Sequence, residues 1–99
     1  MSFKLRFLHA ARVEYDEAVG WLYEHWPDTT ERFIRAVDSA LERIKKSPAS
    51  GSVVEDNVRK MLVPGFRYYV IFYRVKSDII QVLSVFHTSR DPKIWKDRI

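Results

Sequence analysis

The side chains best suited to chemistry lie near the carboxyl end, in His87-Thr88-Ser89-Arg90-Asp91-Pro92 followed by Trp95 and Arg98. An imidazole with an unperturbed pKa near 6.5 can act as general acid or base, so His87 is the first residue to weigh. The structural alternative is a histidine that closes a sheet by hydrogen bonding to the turn before Asp91, the commoner fate of a buried polar group. Arg59, Arg67 and Arg90 add guanidinium groups that can each hold two phosphate oxygens. On neighbouring strands they would cradle a nucleic-acid backbone or a target. As isolated side chains they would be solvated charges that guard sheet edges.

Other chemistry is excluded by what the chain lacks. There is no phosphate-binding glycine loop, dinucleotide fingerprint, nucleophile elbow or His-Glu-x-x-His pair. The absence of cysteine removes thiolate catalysis, thiolate zinc sites and disulfides, and fits a reducing, cytoplasmic setting. His9, His25 and His87 show no ligand spacing, so neither a metal nor a cofactor is expected.

The elements that must position these residues can be read from periodicity. Phe3, Leu5 and Phe7 alternate with Lys4 and Arg6, which predicts a half-buried strand over Phe3 to Leu8. From Ala10 to Trp26 the period lengthens, and Ala11, Tyr15, Ala18 and Leu22 share one helical face that leaves Trp21 and Trp26 outside. Gly20 is weak in a helix and suggests a close approach by a neighbour. Trp26-Pro27-Asp28 breaks this helix, and Asp28 with Glu31 reads as a capping box for a second one beginning near Thr29. Phe33, Val37, Ala40, Leu41 and Ile44 form its apolar stripe, and Pro48 ends it. The short junction predicts a helical hairpin.

Ser47 to Asn57 is small and polar and reads as a surface crossing. Strands follow at Val58 to Val63, Phe66 to Val75 and Ile79 to His87, separated by Pro64-Gly65 and Lys76-Ser77-Asp78, an antiparallel meander. The middle strand is apolar on both faces and should be central, with Tyr68, Tyr69 and Tyr73 in the core. Parity along the last strand puts His87 with Leu83 and Val85, and Phe86 with Ile80 and Val82. Asp91-Pro92 opens a short terminal helix over Pro92 to Arg98. The expected class is α+β in the order β-α-α-β-β-β, one domain over residues 1–99.

Ninety-nine residues, 46% of them hydrophobic, suffice for one core without staples. The net charge of +4 is uneven: residues 1–56 carry 8 Lys/Arg against 10 Asp/Glu, and residues 57–99 carry 9 against 3. A basic sheet half favours an acidic or nucleic-acid partner. Trp95 is expected in the core, whereas Trp21, Tyr23 and Trp26 are aromatic anchors of the kind partner interfaces use. No apolar run is long enough to span a membrane, and Met1-Ser2-Phe3-Lys4-Leu5-Arg6 meets charge too early for a signal peptide.

The ordered whole, from Ala10-Ala11 through Trp21-Leu22-Tyr23 and Phe33, resembles the ParE/RelE superfamily of bacterial toxins from type II toxin–antitoxin modules. Gly65-Phe66-Arg67-Tyr68-Tyr69-Val70-Ile71-Phe72-Tyr73-Arg74-Val75, Ile80 to His87 and Arg90-Asp91 are its best-matching stretches. The resemblance implies a helical hairpin packed on an antiparallel sheet, and a growth-arresting protein, often a plasmid stabilisation protein, neutralised by an antitoxin. Contact with that antitoxin is expected through Trp21, Tyr23, Trp26 and Arg67. The strand end at His87 with Arg90-Asp91 looks like the ParE branch, whose members poison DNA gyrase. The RelE branch cuts messenger RNA in the ribosome; there Arg67 would match a catalytic arginine, with Arg90 a second and His87 the acid or base. This chain lacks the closing tyrosine and the lysine-rich strand of that branch.

Overall fold

The computed structural model describes residues 3–99; Met1 and Ser2, which begin the stretch read for a leader, lie outside the described residues. The elements run β1 (Lys4–Phe7), α1 (His9–His25), α2 (Pro27–Lys46), a 3-10 turn (Pro48–Ser50), β2 (Ser52–Glu55), β3 (Val58–Leu62), β4 (Tyr69–Lys76), β5 (Ile79–His87) and α3 (Lys93–Lys96). The five strands form one sheet in the order β1-β5-β4-β3-β2, so β4, the strand apolar on both faces, is central as its composition requires. The α+β class and the helical hairpin stand. The sheet, however, is mixed: β1 runs parallel to β5, because the two helices carry the chain from β1 back across one face before the meander begins.

Two hydrophobic layers result. On one face Ala11, Ala18 and Leu22 of α1 and Phe33, Val37, Ala40 and Ile44 of α2 pack against Ile71, Tyr73, Ile80, Val82 and Val85. On the other, Trp95 of α3 lies over Val70, Phe72, Leu83 and Phe86. Trp95 is therefore core, as its size demands, stacked on Phe72 with ring centroids 4.0 Å apart.

Five expectations need correction. Ser47 to Asn57 is not a plain crossing, since it holds the 3-10 turn and the edge strand β2, whose exposed residues gave no period-2 apolar signal. Asp28 is not an N-cap: Pro27, with its preset φ, opens α2 directly after Trp26, and Asp28 falls in the first turn where its charge suits the dipole. Gly20 meets no close neighbour, for a Cβ there would find nothing within 4 Å. Tyr68 lies in the β3–β4 turn and is 54% exposed, whereas Tyr73 is fully buried and Tyr69 half-buried. The parity of β5 breaks at a bulge: Tyr73 faces Val82 and Phe72 faces Ser84, leaving Leu83 as the extra residue. Leu83 thus joins Phe86 under Trp95, while Val85 joins Val82 beneath the helices.

Candidate functional site

The bulge and the end of β1 shape the site. β1 follows β5 only to Val82, where the Leu8 N–H donates to the Val82 carbonyl at 2.9 Å. Beyond that point no strand among the described residues covers the outer edge of β5, and side chains take its backbone groups. Glu14 of α1 accepts the Val85 N–H at 3.2 Å and the Ser84 hydroxyl at 2.8 Å, and Arg98 donates to the Leu83 carbonyl at 2.9 Å. Arg98 also donates to Glu14 Oε1 at 2.8 Å, and Arg90 donates to Glu14 Oε2 at 3.3 Å. The Glu14 side chain is only 8% exposed, so these four donors replace the water that a buried carboxylate would otherwise need. Glu14 was not singled out from the sequence. Its only signal was an acid one turn into α1, a pattern shared with Asp16 and Glu17.

Beside this cluster lies a cleft of about 270 Å3 walled by Glu14, Ala18, Trp21, Tyr69, His87 and Arg90. A second hollow, of about 230 Å3, adjoins it across Trp21, Tyr69 and His87 and is completed by Leu22, Trp26, Phe66 and Tyr68. The end of α1 supplies one wall. Trp21 stacks on His25 at 4.2 Å and meets Trp26 edge-on at 5.0 Å, and His25 Nδ1 and the Trp21 carbonyl oxygen are 2.8 Å apart, fixing the cluster. The ends of β4 and β5 supply the other wall, where His87 meets Tyr69 edge-on at 5.0 Å and lies nearly parallel to Tyr68 at 6.0 Å. Burial pushes the Tyr69 hydroxyl pKa above its ordinary value.

His87 is held as the structural alternative required. Ser89, in the turn before Asp91, donates its backbone N–H to His87 Nδ1 at 3.1 Å, with its hydroxyl 2.8 Å from the same nitrogen. A backbone N–H can only donate, so Nδ1 is the acceptor and the neutral ring carries its proton on Nε2. Arg67 reaches the rim through Tyr68, donating to the phenol oxygen at 2.9 Å with its guanidinium 5.0 Å from the ring centroid.

Trp21, Trp26, Arg67, His87 and Arg90 are thus gathered around one end of the sheet. Tyr23, 70% exposed, projects elsewhere on α1. Arg59 is also apart: it pairs across from Tyr73, well up the sheet, and donates to the Ala49 and Gly51 carbonyls at 3.1 and 2.7 Å. The three arginines do not converge into a cradle. Among the described residues, no group of three or more His, Asp or Glu side chains is placed to hold a metal ion, and no helix is long and apolar enough to cross a membrane.

The sequence profile described as "ParE toxin of type II toxin-antitoxin system, parDE" matches residues 5–92. The chain belongs to this family. Among curated proteins it is similar to Toxin RelE1 of Caulobacter vibrioides, 26% identical over 88% of this chain and 95% of the relative. It is also similar to Toxin ParE2 of Mycobacterium tuberculosis, 28% identical over 93% of this chain and 88% of the relative. A chain from the chromosomal ParDE TA system of P. aeruginosa shares the fold, with a TM-score of 0.73 at 15% identity over 86% of this chain and 95% of that one. The protein is therefore a type II toxin of the ParE/RelE superfamily. The family match ends at Pro92, one residue before α3, so Trp95 and Arg98 of this toxin lie beyond it.

Proposed function

We propose that this toxin arrests growth by binding DNA gyrase, in the manner of the ParE branch, without chemistry of its own, and that a cognate antitoxin neutralises it. The observation that carries the reading is the occupied lone pair of the candidate base, His87. His87 Nδ1 accepts from Ser89, leaving no free lone pair on the neutral ring. A general base must present an open lone pair to its substrate, and this imidazole does not. The antitoxin would lay apolar anchors of a segment that folds on binding into the hollow between Trp21, Trp26 and Tyr68, with Arg67 at its rim.

Purified toxin added to gyrase should block supercoiling or trap cleaved DNA. A second reading, ribosome-dependent cleavage of messenger RNA, draws support from one feature: Arg67 and His87 meet on the same rim through Tyr68. It requires cuts that Arg67→Ala abolishes; intact transcripts on active ribosomes would remove it.

A further inference from the structure

We propose that Glu14 is a positioning residue whose two oxygens have separate duties: Oε1 builds the edge of β5, and Oε2 aims Arg90 into the cleft beside Trp21 and His87. The division follows from the donor count. Oε1 takes the Ser84 hydroxyl, the Val85 N–H and Arg98, while Oε2 takes Arg90 alone and at the longest distance of the four, 3.3 Å. A carboxylate oxygen offers about two lone pairs, so Oε1 is saturated and Oε2 is not. Arg98 is mostly buried and Arg90 about half exposed. The buried charge of Glu14 therefore stays compensated by Arg98 when Arg90 leaves, and Arg90 is the cation that can exchange Glu14 for an acidic side chain of the toxin's target protein. Arg98, held twice and mostly out of water, cannot.

This inference rests on the proposed reading that the toxin arrests growth by binding a protein target, which would engage the cleft through Arg90, yet its geometric half can be tested without that reading. In the intact toxin, the Arg90 guanidinium protons should show restrained rotation and slowed exchange by nuclear magnetic resonance, unlike those of exposed Arg35. Glu14→Gln should release them, while Ser84→Ala, which removes only an Oε1 donor, should leave them restrained and merely lower the melting temperature. An Arg90 guanidinium as mobile as Arg35 in the wild-type toxin would overturn the proposal, whether or not Glu14→Gln folds. In the functional half, Arg90→Ala and folded Glu14→Gln should each raise the inhibitory dose in a growth assay by about tenfold, with the double variant no worse than either, since they act as one unit. Multiplying effects, or full potency of Arg90→Ala, would refute a shared role. A wild-type chain that fails to arrest growth would count instead against the proposed function, leaving the resonance result to stand by itself.

Discussion

The Tyr73 phenol oxygen, buried beneath the helices, accepts the Gly51 N–H at 2.9 Å and donates to the Pro48 carbonyl at 2.7 Å. This pins the segment between α2 and β2 onto the central strand. A Cβ on Gly51 would lie 2.5 Å from that oxygen and 2.7 Å from the Lys60 carbonyl, and backbone cannot yield cheaply. Gly51→Ala should therefore destabilise by about 2 kcal/mol through overpacking. Tyr73→Phe should cost about 1–3 kcal/mol, because it strands a buried N–H. Chemical denaturation of both variants checks this; wild-type stability for Gly51→Ala would mean that the segment moves freely.

Trp95 covers the second face of the sheet from a helix of only four residues. Trp95→Ala should remove about 3–5 kcal/mol, as large buried aromatics do. It should also free Arg98, three residues on, from Leu83 and Glu14. The measurement is equilibrium unfolding, and a loss under about 1 kcal/mol would show that α3 is an ornament of the fold.

Burial raises the Tyr69 phenol pKa. It also raises that of Tyr15, where burial leads, the Asp38 and Asp16 carboxylates push the same way, and Arg12 opposes them. Because the folded value exceeds the unfolded one, the unfolded chain ionises first. The favourable contribution is complete below pH of about 10 and is lost as the pH rises through the folded values. Melting temperature should fall more steeply above that pH in the wild type than in Tyr15→Phe/Tyr69→Phe. Parallel curves would contradict the assignment.

Trp21 and Trp26 line the hollow proposed for the antitoxin and Tyr23 does not. Each alanine variant should leave stability within about 0.5 kcal/mol, since all three are exposed. Antitoxin affinity should fall at least about tenfold for Trp21→Ala and Trp26→Ala, and less for Tyr23→Ala. Titration calorimetry gives the answer, and unchanged dissociation for all three would reject this surface.

Much of this was legible in the chain. The stripe of Phe33, Val37, Ala40 and Ile44 and the doubly apolar run from Val70 to Tyr73 encode burial directly, so helices and central strand could be read from periodicity. The bulge at Leu83 could not, because parity presumes an unbroken period of two and only pairing with β4 reveals the extra residue. Glu14 was invisible for a related reason: its meaning comes from Ser84, Val85, Arg90 and Arg98, all some seventy or more positions away. Tyr68 misled because strand composition continues into a turn. Arg59 looked like a ligand for phosphate, yet its guanidinium serves two nearby carbonyls.

Incubation of the purified chain with gyrase and relaxed plasmid separates the proposed binding of gyrase from cutting of RNA most directly. Supercoiling should be lost with cleaved DNA trapped, while messenger RNA on translating ribosomes stays whole. Undiminished supercoiling, together with ribosome-dependent cuts that vanish in Arg67→Ala, would contradict the gyrase reading.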